Sequence, residues 1–185
     1  MQVWRRSRGI VLLVLLIVGV VVAPRPGAAA AICGADHAPL DAEELAFLRL
    51  INEYRLANGA PALSVSPTLN DAAAWMAEDL AAKGYFAHTD SLGRSPYQRA
   101  IDCGYGTGAG ENLAAGTTWS TAAAAFEAWR ASPGHNANML LPYYREIGIA
   151  RYYRAGSPYG WYWVTNFGTG SVQPQQTPTP RPTPA

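Results

Sequence analysis

A change of hydrophobic period near Pro142 constrains this 185-residue chain more than any other feature. Before it, apolar residues recur three and four apart in several segments; after it, they alternate. Ile147 and Ile149 alternate with small residues, and Tyr152 and Tyr153 extend the run. Trp161, Trp163, Thr165 and Phe167 then alternate with Tyr162, Val164 and Asn166. Period two marks strands whose successive side chains point to opposite faces. The intervening Gly156-Ser157-Pro158-Tyr159-Gly160 is turn chemistry, so the two strands pair as an antiparallel hairpin. Helices followed by a hairpin bury their apolar stripes on its sheet, which makes the fold class α+β.

The helices announce their own ends. Asp41 and Glu44 form a capping box ahead of Leu45, Leu48, Ile51 or Asn52, and Leu56, and Gly59 with Pro61 stops that run. Ser66-Pro67 opens a second helix whose buried stripe is Leu69, Ala73, Met76 and Leu80, closed by Lys83 and Gly84. A short third helix is expected from Ser95-Pro96 through Ile101. Glycines 104, 106, 108 and 110 then read as a flexible passage into Glu111-Asn112-Leu113. A helix over residues 121–132 packs Ala122, Ala125, Phe126 and Trp129; Pro133-Gly134 reads as its stop, and His135 begins one further turn.

Both ends of the chain differ from this middle. Arg5, Arg6 and Arg8 precede an apolar run over residues 10–23, and alanines follow at residues 28–31. A basic start, a short apolar stretch and a small-residue exit form an export signal over residues 1–31. Processing there leaves a domain over residues 32–170, a Pro/Thr-rich disordered tail over residues 171–185 and no stable membrane span. It removes four arginines and takes the formal net charge from +1 to −3. A weakly acidic product without a basic cluster has no long-range attraction for nucleic acid. Cys33 and Cys103 are the only cysteines, and export into an oxidising compartment favours a disulfide between them.

The residues able to carry chemistry are few. His37 reads as a solvated linker residue beside the processed end, leaving His88 and His135. Together with Glu111 they are imidazole and carboxylate donors, a set that can hold a divalent metal such as zinc. Their spacing matches no compact metal motif, so hydrogen bonding around a cleft is the competing role. Glu111 and Glu127 are the carboxylates available to a glycosidase-type pair, and Ser132 and Ser95 are the serines that a histidine can activate. Of the tryptophans, Trp161 and Trp163 share a strand face opposite Tyr162, and an exposed aromatic pair there would suit a glycan or lipid.

A series of blocks in fixed order carries a resemblance. Leu50-Ile51-Asn52-Glu53-Tyr54-Arg55 precedes Tyr85-Phe86-Ala87-His88-Thr89-Asp90 and Gly110-Glu111-Asn112-Leu113-Ala114. Trp129-Arg130-Ala131-Ser132-Pro133-Gly134-His135, Glu146-Ile147-Gly148-Ile149 and Trp163-Val164-Thr165-Asn166-Phe167-Gly168 complete them. Over residues 44–168 the chain resembles the bacterial branch of the CAP superfamily, the cysteine-rich secretory, antigen 5 and pathogenesis-related 1 proteins that share the SCP domain. The resemblance implies a three-layer α-β-α sandwich with a central antiparallel sheet. It also implies a surface cleft with two histidines and acidic residues, where some members bind divalent metal. His88 looks like the first cleft histidine, and Glu111 like the acid of the glycine–glutamate–asparagine motif. Ser132 stands where eukaryotic members carry a second glutamate, and Tyr143-Tyr144-Arg145-Glu146 replaces their later histidine motif. His135 resembles instead the histidine of a bacterial serine–proline–glycine–histidine motif.

No single reaction characterises that superfamily, so a non-enzymatic, secreted ligand-binding or interaction module is the leading expectation. Its ligand would be a small molecule, a lipid, a cell-envelope component or a protein, held at His88, Glu111 and His135. A metal-assisted extracellular hydrolase acting on a peptide, ester or wall fragment is the alternative, and a surface-adhesion module is the third.

Overall fold

The computed structural model describes Cys33 and residues 39–170. The export signal, His37 and the Pro-rich tail lie outside the described residues. Among the described residues no helix is long and apolar enough to cross a membrane.

Each of the five helices over residues 42–140 begins on a residue that local chemistry dictates. Helix α1, Ala42–Ala57, starts from the Asp41 capping box, with Glu44 returning a carboxylate to the Asp41 amide. After strand β1, Ser64–Val65, helix α2, Pro67–Lys83, is capped by Ser66 and closed by Gly84 in the left-handed region at φ 70°. Helix α3, Pro96–Asp102, is capped by Ser95. Strand β2, Gly110–Gly116, leads into α4, Ala122–Ala131, which Thr121 caps. Helix α5, Pro133–Leu140, follows directly, then strands β3, Glu146–Tyr153, and β4, Trp161–Gly168.

The sheet order is β1-β3-β4-β2. β4 pairs antiparallel with both β3 and β2, whereas the two-residue β1 adds to the outer edge of β3 in parallel. Alternation along β4 sorts the two cores. Trp163 and Phe167 join Phe47, Ile51, Phe126 and Trp129 beneath α1 and α4. Tyr162 and Val164 join Met76 and Leu80 beneath α2 on the opposite face. Helix α3 packs on that second face through Leu69, Ala100 and Tyr105. The result is the expected three-layer sandwich. Helix α2 lies against the sheet at Gly148, where a Cβ would stand 2.1 Å from the Leu69 carbonyl group. That approach lets the buried Asn70 side chain accept the Ile149 amide at 3.0 Å.

Strand β2 forms the other edge of the sheet, and side chains seal it. Trp129 Nε1 donates to the Leu113 carbonyl at 3.0 Å, and Asn138 Nδ2 to the Glu111 carbonyl at 3.3 Å.

Arg55 crosses the first core without a carboxylate partner in the ion pairs described. Its fully buried guanidinium donates to the carbonyls of Pro61, Met139, Leu141 and Tyr144 at 2.8, 2.5, 3.2 and 3.2 Å. One side chain thereby ties α1 to the loop before β1 and to the chain leaving α5. Cys33 and Cys103 form the disulfide, with Cα atoms 5.4 Å apart, and join the head of the domain to the end of α3.

Three expectations are corrected. The α1 stripe is rotated: Leu45 and Leu56 are exposed, and Phe47, Ile51 and Arg55 face inward, because Trp129 of α4 and Trp163 of β4 present aromatic surface to Phe47, and the loop before β1 and the chain around the end of α5 present carbonyls to Arg55. Pro133 starts α5 at its first position instead of only stopping α4, since proline lacks the amide that a first turn leaves unpaired. The passage after Gly110 is a strand, held by the full register from Gly110↔Phe167 to Gly116↔Trp161.

Candidate functional site

Glu111 and Asn112 are consecutive on β2 and therefore point to opposite faces of the sheet. Glu111 turns toward α3, where its side chain is only 1% exposed. There it pairs with the fully buried Arg99 guanidinium through Oε2, which also accepts from Asn166 Nδ2 at 3.3 Å. Its other oxygen, Oε1, lies 2.8 Å from His88 Nδ1. Asn112 turns toward α5, donating to the His135 carbonyl at 3.1 Å and accepting from Asn138 at 3.0 Å. The two layers thus converge around the sealed edge of β2, in a cleft of about 520 Å³ lined by His88, Glu111, Asn112, Ser132, His135 and Asn138 among others. The three residues singled out from the sequence do meet in one hollow.

Behind Glu111 the charges alternate inward. Arg99 reaches Asp90 Oδ2 at 3.5 Å, and Asp90 also binds Arg94 Nε at 2.8 Å. Arg94 closes the series with its guanidinium 4.5 Å from the centre of the Trp75 ring and 3.5 Å from the Asp102 carboxylate. Glu111 and Asp90 each therefore have a buried arginine, as charges removed from water require. The loop carrying His88 is anchored on both sides. Asp90 caps the Leu92 and Arg94 amides, and Asp79 accepts from Tyr85 Oη and from the Ser91 amide and hydroxyl. Burial opposes ionisation of Asp79, but the hydrogen bonds from Ser91 and Tyr85 outweigh it and hold its pKa below the ordinary carboxylate value.

The two imidazoles differ. The bond to Glu111 raises the pKa of His88 above the ordinary 6.5, against a partial burial that lowers it; its side chain is 56% exposed. Burial lowers the pKa of His135, and the neighbouring charge of His88 lowers it further. His135 Nδ1 lies 2.9 Å from Ser132 Oγ. His88 is thus the ring more readily charged, and His135 the one held neutral.

As placed, His88, Glu111 and His135 do not make a metal-ligand set. Among the described residues no group of three or more histidine, cysteine, aspartate or glutamate side chains is positioned to hold an ion. Glu111, the carboxylate in the cleft lining, is already paired with the Arg99 guanidinium, and His88 Nδ1 lies against its other oxygen. Glu127 is absent from the cleft lining and forms a solvent-exposed pair with Arg130 on α4, so the two-carboxylate arrangement does not form. Ser95 accepts the Gln98 amide as the α3 cap and is absent from the cleft lining. Arg99, Asp90, Asp79 and Asn138 were not legible as site residues. The nearest signal was the dense run of polar residues on both sides of Gly93.

Similar proteins bracket this arrangement. The family model described as CAP, the cysteine-rich secretory protein family, matches residues 48–167. The uncharacterized protein YkwD of Bacillus subtilis (strain 168) is 32% identical over 120 residues, which make up 64% of this chain and 45% of YkwD. The chain thus spans less than half the length of that curated relative. Among solved structures, an outer surface protein from Borrelia burgdorferi superposes with a TM-score of 0.61 at 24% identity, covering 70% of this chain and 95% of that one. An extracellular SCP-domain protein from Bacillus anthracis str. Ames gives 0.57 at 24% identity, over 70% of this chain and 44% of that one. A cysteine-rich secretory protein from Staphylococcus aureus subsp. aureus Mu50 gives 0.52 at 17%, over 70% and 40%. At these identities the structures speak for the fold alone.

Proposed function

Because this chain belongs to the cysteine-rich secretory protein (CAP) family, we propose that it is an exported module whose cleft binds a small polar ligand outside the cell. One observation carries this reading. The charge of Glu111 is neutralised from within by Arg99, while His88 and His135 line the opening with Nδ1 already engaged. The remaining ring nitrogen, Nε2, is the one a ligand would meet. Fixed ring orientations of this kind suit recognition, because little conformational freedom is lost when a partner arrives. The description of the matched family as secretory proteins supports the same compartment.

The test follows the ring protons of His88 and His135 by NMR while soluble wall glycopeptides, fatty acids and short peptides are added in turn. A ligand of this cleft shifts both rings, and its affinity falls at least tenfold in His88→Ala. Undiminished affinity in a folded His88→Ala, His135→Ala double variant would refute the assignment. A surface-adhesion reading draws on a different observation. Phe86, Tyr153 and Tyr159 are 45, 55 and 36% exposed around the tip of the β3–β4 hairpin. Replacing them by serine would abolish attachment to whole cells on that reading and leave the cleft titration unchanged.

A further inference from the structure

Ser132 occupies an unusual junction. Its amide donates to the Trp129 carbonyl and so ends α4, while its own carbonyl accepts the Asn136 amide at 2.8 Å and so begins α5. Two helices therefore fix its backbone. A serine in the position before a helix ordinarily turns its hydroxyl back onto the first-turn amides. Here it makes no such bond, and the hydroxyl lies 2.9 Å from His135 Nδ1 in the cleft. The amides of Gly134 and His135 are left uncapped by it, and both residues line the same hollow.

We infer that Ser132 and His135 form a nucleophile–base pair that cleaves short-chain carboxylic esters entering the cleft. The inference rests on the cleft being open to ligands, and adds a reaction at one wall of it. Ser132 Oγ attacks the ester carbonyl carbon as its proton passes to His135 Nδ1. The carbonyl oxygen takes the negative charge near the first-turn amides of α5, which carry the positive end of the helix dipole. Collapse breaks the bond to the alcohol oxygen, and the alcohol leaves with the proton from His135. Water then attacks the acyl-serine, His135 Nδ1 accepting its proton and returning it to Ser132 Oγ. The products are one acid and one alcohol. Burial favours the neutral ring of His135, and in the tautomer with hydrogen on Nε2 the serine hydroxyl donates to Nδ1 across 2.9 Å, as a base requires. Among the described residues no carboxylate bonds His135, so the pair works without the orienting third member of a triad.

The test uses the purified chain, an alkyl fluorophosphonate and p-nitrophenyl acetate. A single phosphonyl adduct should map to Ser132 by peptide mass spectrometry, and Ser132→Ala should abolish both the adduct and p-nitrophenol release. Loss of the base in His135→Gln should slow the labelling about 100-fold or more. Ser132→Ala removes no cap bond, so an unchanged melting temperature certifies its fold; Ser132→Cys should gain a reactivity toward iodoacetamide that His135→Gln slows. An unmodified Ser132 in the native protein, or ester turnover that survives Ser132→Ala, overturns the pair. Ligand-induced shifts of His88 in Ser132→Ala separate the two readings, because they persist if binding is right and the nucleophile is wrong.

Discussion

Arg55→Met offers the sharpest test of how the cleft is held. The wild-type guanidinium satisfies four carbonyls in a site with no solvent exposure. Burial, and then the nearby Arg145 charge, lowers its pKa, yet a guanidinium stays protonated across any pH a protein survives. At about 2 kcal/mol for each buried carbonyl left without a donor, orphaning Pro61 and Met139 loses about 4 kcal/mol. The Leu141 and Tyr144 carbonyls keep the Tyr144 amide and Arg145 Nη1 as donors and lose only about 1 kcal/mol each. Releasing the guanidinium from its desolvated position returns about 3 kcal/mol, leaving a net loss of about 3 kcal/mol. For a domain of this size that corresponds to a melting temperature lower by roughly 10 °C. Thermal unfolding followed by circular dichroism, with urea titration beside it, measures both quantities. Arg55→Lys, with one compact ammonium, should recover only part of the loss. Because Met139 and Leu141 are among the anchored residues and Leu141 lines the cleft, amide shifts in the Arg55→Met variant should extend to His135. A loss below about 1 kcal/mol would falsify the premise, since it would mean that the carbonyls find other donors.

Other perturbations have equally definite outcomes. Glu111→Gln removes the partner that raises the pKa of His88, so the His88 NMR titration midpoint should fall; an unchanged midpoint would detach His88 from Glu111. The same linkage gives a sign: stability from His88 is present below its unfolded pKa of about 6.5 and lost as pH rises through the higher folded value, so the pH slope should flatten in Glu111→Gln. His135 acts oppositely, contributing above its unfolded value and losing that contribution as pH falls. Reducing Cys33–Cys103, separated by 70 residues, should cost about 4 kcal/mol in the chain-entropy account, read as a lower melting temperature in reductant; equal melts would show that the tie constrains nothing. Gly148→Ala drives a methyl into the Leu69 carbonyl group and should destabilise by about 1–3 kcal/mol, with shifts concentrated in α2; a neutral result would contradict the close approach.

Much of the fold was legible because local chemistry and tertiary packing agree. The Asp41–Glu44 box, the Ser66 and Ser95 caps, Gly84 and the alternating tryptophans of β4 each specify in sequence what the structure uses. Strand β2 was hidden because Glu111, Asn112, Leu113 and Ala114 are all buried, so no polar face alternates with an apolar one. Arg55 was hidden for the opposite reason: a charged residue in a helical stripe reads as solvent-facing, and only four distant carbonyls make its burial tolerable. In the site, the block resemblance brought out His88, Glu111 and His135, but not the counter-ion of the acid. Arg99 lies 12 residues before Glu111 on another element, and neither period nor motif announces the pairing that turns a prospective metal ligand into an internal ion pair.

The sealed margin of β2 also limits how the domain can meet other molecules. With indole and amide donors already on the Leu113 and Glu111 carbonyls, an extended peptide approaching from that side finds those acceptors taken. Strand addition, the shortest route to fibre-like stacking or to sequence-blind capture of peptides, is blocked at the place where the hollow opens. Selectivity must therefore reside in the few side chains around the opening, and these can be exchanged one at a time while the scaffold beneath them stays as it is.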